Sequence, residues 1–338
     1  MSEAPAWIGL HVHYNSDMQS LLGEGVKPAL AALRRDRLIA QAFMIRYWEQ
    51  GPHVRVRLLP ADASCAIQAE AMFRSIVEEF LLQRPSLYAF PTALMRVNFN
   101  DAYRREYGDA AFDRKYGALG RIPFAPNNSI QSVPYEPELD RYGGQAGMAI
   151  AERFFEASTD AVLDILTSPN GADLSVRAGH ALKFLVLGCF VFLDSDQWVP
   201  FLDANKARWM RFLDVYKIAA YDNMVEKYAR QRETLAEQML AWTALLEGGN
   251  AVSTDESLIL PAMRRARQAL LAAHADGTLD APYAAMDKRK LMEHMFTSYL
   301  HMHCNRLGML AVDEIYLSIL GREALSERLT HAGAREAA

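Results

Sequence analysis

Residues 42–60 read AFMIRYWEQGPHVRVRLLP, two alternating apolar runs on either side of a short Gly-Pro break. Side chains of a strand point to opposite faces in turn, so this pattern predicts a β-hairpin with one face buried. Arg55 and Arg57 stand two apart and therefore share a strand face, and Arg46 lies on the partner strand. The same period of two recurs in AWIGLHVHY, residues 6–14, which predicts a further strand.

After residue 144 the period changes. Ala151, Phe154, Phe155, Val162, Ile165 and Leu166 recur at helical spacing. Further helices are expected at 175–193, 205–246, 258–275, 286–306 and 311–328, with breaks at GGN (248–250) and at 276–285. In the first half, 21–35 reads as a helix with Pro28 near its start, and 61–84 as an amphipathic helix. The stretch 87–99 reads as a mixed segment suited to a strand, 100–134 as ordered but irregular, and HAGAREAA (331–338) as a frayed polar tail. The fold class expected is α+β: an N-terminal β-hairpin and antiparallel sheet part, about 1–134, packed on a mainly helical C-terminal part, about 145–330.

A chain of 338 residues with 51% apolar and 23% charged residues can bury a large core. Its net charge of −5 gives no basic footprint for nucleic acid. The three cysteines, Cys65, Cys189 and Cys304, are too few and too scattered for a disulfide framework and fit a reducing cytoplasm. The opening MSEAPAWIGL lacks the basic and apolar regions of a signal peptide. The apolar run ALKFLVLGCFVFL, 181–193, is short for a bilayer span, carries Lys183, and reads as a buried helix or strand, so no membrane partner is expected.

Four clusters could carry chemistry. Arg55 and Arg57 present two guanidinium forks to one face, which suits a carboxylate, but a solvated edge strand would look the same. YEPELDRYGG, 135–144, places Glu138 and Arg141 three apart, within reach on a helical turn. That pair fits either an anion site or a structural ion pair closing a connector. Gly143 and Gly144 can supply positive φ or admit a close backbone approach. In HMHCNRLG, 301–308, His301 and His303 diverge if the segment is helical, which argues against zinc and leaves an imidazole base or a core histidine. HVH, 11–13, puts two imidazoles on one strand face with no third metal ligand in sight, and a structural role is favoured. No phosphate loop, GxGxxG, GxSxG or HExxH occurs.

RYWEQGPHVRVRL, YEPELDRYGG and HMHCNRLG follow in that order, roughly 80 and 160 residues apart, and the opening tryptophan and the FMIRYW lead-in accompany them. This set resembles the C-terminal domain of class I lantibiotic dehydratases, a family that also occurs as stand-alone proteins of thiopeptide-type bacteriocin biosynthesis. The resemblance spans nearly the whole chain as a single elimination-type domain, 1–338. It implies β-elimination of glutamate from glutamylated Ser or Thr of a ribosomally made precursor peptide, giving dehydroalanine or dehydrobutyrine.

On that resemblance the elimination residues are Arg55, Arg57, Glu138, Arg141 and His301, with Arg46, Tyr142, Gly143, Asn305 and Arg306 as substrate-binding candidates. It implies no cofactor and no metal. The partners it implies are the glutamylated precursor peptide, a separate tRNA-dependent glutamylation protein and a possible second copy in a homodimer, with no direct tRNA binding. A stand-alone pyridine-forming cycloaddition enzyme and a non-catalytic leader-peptide scaffold, which could use strand addition at a sheet edge, are the alternatives.

Overall fold

The computed structural model describes residues 5–88, 92–211, 219–246 and 254–336. The chain divides into two compact units, Met1–Glu136 and Pro137–Ala338. The first holds an antiparallel sheet and the second is helical, which is the α+β division expected from the change of period.

In the first unit, β1 (Ile8–His13), β2 (Ile39–Tyr47), β3 (His53–Pro60) and β4 (Ser129–Ser132) form one sheet in the order β2-β3-β1-β4. The hairpin expected at 42–60 is β2 and β3, paired from Ala42 with Leu58 to Tyr47 with His53. Alternation sets the faces. Leu10, Val12, Val54, Val56 and Leu58 are fully buried on one face. The helices of the unit are α1 (Met18–Ser20), α2 (Lys27–Arg35), α3 (Ala66–Gln83), α4 (Thr92–Tyr107) and α5 (Asp109–Tyr116). A π-helical stretch, Leu21–Val26, leads into α2, so the helix expected over 21–35 changes winding at Lys27.

Two expectations for this unit are corrected. The mixed stretch at 87–99 enters the helix α4 at Thr92, and residues 89–91 lie outside the described residues. The region 100–134 is largely regular. It holds the second half of α4, all of α5 and the edge strand β4, and it buries Tyr103, Phe112, Tyr116 and Ile122 in a small core of its own. β4 reads SIQS, and its partly exposed residues leave no apolar alternation to find.

The second unit contains α6 (Leu139–Tyr142), α7 (Gly144–Leu166), α8 (Leu174–Phe192), α9 (Trp198–Met210), α10 (Ala219–Leu246), α11 (Thr254–Ala275), α12 (Ala281–Ala284), α13 (Lys288–Leu307) and α14 (Ala311–Glu336). α14 extends to Glu336, so the expected frayed tail continues the helix. The expected break at GGN falls outside the described residues.

α8 resolves the apolar run at 181–193. It is long and apolar enough by composition to cross a membrane, but 61% of that span is buried inside the fold. Lys183 pairs with Glu256 at 3.1 Å, both largely enclosed, as a buried charge requires. Phe154 and Tyr299 stack at 4.4 Å where α7 meets α13, and Phe192 and Phe296 at 5.4 Å where α8 does.

Candidate functional site

The sheet face opposite the buried valines carries charge. His53, Arg55 and Arg57 stand on it from β3, with Gly9, His11 and His13 facing them from β1. His53 packs against both other imidazoles, 4.9 Å from His11 and 4.5 Å from His13, which stand 6.5 Å from each other. His53 Nδ1 lies 2.8 Å from the Gly51 carbonyl, which only accepts, so Nδ1 carries the proton. Its Nε2 then accepts from Arg55 Nε at 3.2 Å, which requires a neutral ring. Burial holds all three imidazoles neutral. Their pKa values fall to about 2 for His11, where Arg57 and Arg55 add to burial, to about 4 for His13 and to about 3 for His53. The three rings are therefore an uncharged cluster beside two guanidiniums, His53 accepting from Arg55 and His11 from Arg57.

The two arginines differ in compensation. Arg55 lies over the Tyr47 ring at 3.4 Å and reaches Glu49 at 3.4 Å. Glu49 is shared, because Lys115 and the Tyr116 hydroxyl also bind its Oε1, at 2.6 and 2.5 Å. Arg57 is 6% exposed and pairs with no carboxylate among the described residues. Its NH2 donates to His11 Nε2 at 3.2 Å, and its guanidinium sits 5.4 Å from the Tyr135 ring. Burial and then Arg55 lower its pKa to about 10. Gly9, the register partner of Arg57, makes room for it: a Cβ there would stand 2.9 Å from Arg57 NH1 and collide with the Val133 carbonyl. A buried cation lacking a carboxylate is a site for an anion.

In the second unit, α13 presents His294, Ser298 and His301 on one face, at i, i+4 and i+7. α6 lies against that face. Arg141 Nε donates to Ser298 Oγ at 3.3 Å, and its NH1 pairs with Glu138 at 3.1 Å. The Arg141 carbonyl accepts from His294 Nε2 at 3.3 Å and from the Tyr283 hydroxyl at 3.1 Å. One turn beyond Ser298, His301 Nδ1 donates to Glu314 Oε1 at 2.8 Å, and the Trp209 ring packs 4.8 Å from the imidazole. Glu314 is 2% exposed, so the carboxylate is a fixed anchor, and the partly exposed imidazole keeps Nε2 as an acceptor. His303, two residues on, faces the interior, where it stacks on Phe184 at 3.9 Å and bonds Ser158 at 2.9 Å.

Gly143 and Gly144 both take positive φ, +81° and +84°, and turn α6 sharply into α7. The close approach they permit is from the protein itself: a Cβ on Gly143 would meet the Tyr283 ring, and one on Gly144 would collide with the Asp280 carboxylate.

Arg46 pairs in register with Val54 and so lies on the opposite sheet face from Arg55 and Arg57, because neighbours along a strand alternate. Arg306 is fully enclosed, with NH1 on the Met302 carbonyl at 2.8 Å and its guanidinium 4.7 Å from the Phe155 ring. Tyr142 is 2% exposed between Phe155 and Tyr299. Gly143 is covered by Tyr283. Asn305 remains one turn past His301 on the same face of α13.

Sequence reasoning missed Glu314, Ser298, His294, Gly9 and His53 as partners of the expected residues. The signal available for Glu314 was an acid standing immediately before the largely apolar run IYLSIL. Among the described residues no group of three or more His, Cys, Asp or Glu is placed to hold a metal ion.

The family model described as lantibiotic biosynthesis dehydratase C-term matches residues 7–325. Among solved structures, TbtD, the pyridine synthase from thiomuracin biosynthesis, superposes with a TM-score of 0.72 at 18% identity, over 95% of this chain and 98% of that one. TsrL gives 0.66 at 18% identity, over 98% and 96%. MibB, a tRNA dependent lantibiotic dehydratase from Microbispora sp. 107891, gives 0.58 at 19% identity, over 98% of this chain and 29% of MibB. At these identities the likeness is one of fold. No curated protein matches the chain.

Proposed function

The chain belongs to the lantibiotic biosynthesis dehydratase C-terminal family, and from that premise we propose that it eliminates glutamate from glutamylated Ser or Thr of a ribosomally made precursor peptide. The products are dehydroalanine or dehydrobutyrine and free glutamate. The observation that carries the proposal is the His301–Glu314 pair at 2.8 Å, one helical turn from the Ser298 hydroxyl on which Arg141 rests.

His301 Nε2 takes the Cα proton. The electron pair of that C–H bond becomes the Cα=Cβ double bond, the Cβ–O bond breaks, and glutamate leaves as its carboxylate. The imidazolium that forms is held by Glu314 through Nδ1–H. Negative charge develops on the peptide carbonyl of the reacting residue and on the departing carboxylate. Arg141, in the same unit as His301, supplies a fixed cation for these charges, the form of stabilisation that contributes most in many enzymes, and Arg55 and Arg57 are the anion-binding residues that the first unit offers the substrate. Glu138 holds Arg141 in position. A separate protein would carry out the tRNA-dependent glutamylation, and the precursor peptide is the shared substrate.

A second reading is supported by the likeness of fold. The pyridine synthase TbtD superposes with a TM-score of 0.72, against 0.58 for the dehydratase MibB. One experiment separates the two. The purified chain is mixed with a glutamylated precursor peptide, and in parallel with a peptide carrying two dehydroalanines. Elimination gives loss of glutamic acid from the first peptide, abolished in Arg141→Ala with the fold retained. An unchanged first peptide together with a changed second one establishes cycloaddition instead. Binding of both without any change of mass leaves the scaffold.

A further inference from the structure

We infer that Arg208 binds the free carboxylate of the glutamyl group, so that the site reads the esterifying amino acid as well as the peptide. This inference rests on the elimination proposed above.

Asn205, Arg208 and Trp209 lie three and four residues apart and share one side of α9. Asn205 Nδ2 donates to Ser318 Oγ at 3.0 Å, and Ser318 Oγ donates to the Glu314 carbonyl at 2.8 Å, one turn back along α14. The Trp209 ring packs 4.8 Å from His301. This side of α9 therefore meets α14 at Ser318, one turn from Glu314, and ends at the proposed base. Arg208 stands on it with its side chain exposed and, among the described residues, with no carboxylate in ion-pair reach. Burial of part of the side chain, then the charge of Arg141, then that of Arg211 lower its pKa, while Glu314 and Glu293 raise it. The charges of Arg208 and Arg141 act on each other, and among the described residues Arg141 has a carboxylate of its own, Glu138, while Arg208 forms no ion pair.

The substrate chemistry matches this surplus. A glutamyl ester uses one carboxyl group and keeps the other free. On elimination the departing glutamate bears two carboxylates. Arg141 serves the carboxylate released from the ester, and the second needs a second cation. A guanidinium fork binds a carboxylate through two parallel hydrogen bonds, and a neutral amide cannot replace that ion. Arg208 would then set preference for glutamyl over glutaminyl esters of the same size.

The full chain is assayed on two esters of one peptide, glutamyl and glutaminyl, as wild type, Arg208→Gln and Arg208→Lys. The wild type is expected to prefer the glutamyl ester. In Arg208→Gln the ratio of kcat/KM for the two esters falls by ~10- to 100-fold, the size expected for a lost charged hydrogen bond, with the change mainly in KM. Arg208→Lys retains an intermediate ratio. An unchanged ratio in Arg208→Gln, whether both rates fall together or neither falls, overturns the inference and leaves elimination standing. A wild type that eliminates from neither ester overturns the elimination itself, and the role of Arg208 with it.

Discussion

His301 donates from Nδ1 to a carboxylate, Glu314, that is 2% exposed, across 2.8 Å between two neighbouring helices. The bond fixes which imidazole nitrogen faces outward and supports the charge that the ring acquires on taking a proton. Glu314→Gln keeps the shape and removes the charge. Its expected effect is a fall in kcat of ~100-fold or more with little change in KM, because a positioned base contributes roughly that much. Steady-state kinetics on a glutamylated peptide, with circular dichroism to check the fold, measures this. Wild-type kcat in the variant would remove Glu314 from the mechanism.

Arg57 gives the opposite separation of stability and function. A buried cation that pairs with no carboxylate among the described residues is costly to the fold. Arg57→Met removes the charge and keeps most of the length. Its stability should be unchanged or raised by about 1–2 kcal/mol, while elimination is lost. Urea denaturation and the peptide assay on the same preparation test both halves. Marked destabilisation would show that the fold needs the charge.

The imidazole cluster makes the first unit sensitive to acid. Above about pH 6.5 the rings are neutral in both the folded and the unfolded chain. Below it the unfolded chain binds protons that the folded chain refuses until about pH 4 for His13, 3 for His53 and 2 for His11. The unfolded state then holds more protons, so stability falls with falling pH by up to about 1.4 kcal/mol per pH unit for each ring. Denaturation midpoints at pH 7.5, 6.0 and 5.0 should decline, and decline less in His13→Gln. Equal slopes for the two proteins would contradict the assignment of His13 as a buried neutral ring.

Gly144 tests the turn that sets Arg141. With φ at +84° and the Asp280 carboxylate where a Cβ would stand, Gly144→Ala should cost about 1–3 kcal/mol. Thermal unfolding reads the loss. Elimination should fall as well, since the α6 backbone that carries Arg141 is displaced. A variant as stable as the wild type would mean that the turn relaxes freely.

Local pattern carried the strands and most helices into view. The alternation at 42–60 gave β2 and β3, and the two-residue spacing of His301 and His303 is why one is partly exposed and the other stacks on Phe184. The i, i+3 spacing brought Glu138 and Arg141 to 3.1 Å. The partners of these residues were not legible, because they lie far along the chain. Ser298 is 157 residues from Arg141, and His11 is 46 from Arg57. Only the register of β1 on β3 places Gly9 and His11 beside the arginines. The period of two, applied strictly, separates Arg46 from Arg55 and Arg57. Likewise Arg306, three residues after His303, shares its enclosed face of α13.

The central claim is that this chain removes a Cα proton and releases glutamate. The most direct measurement is a single-turnover time course on a peptide whose glutamylated serine carries deuterium at Cα, with mass and rate followed against the protium form. The account predicts dehydroalanine without deuterium, formed several-fold more slowly from the deuterated peptide, and no product from His301→Ala that retains its fold. A glutamylated peptide that keeps both its mass and its deuterium through the full time course would contradict it.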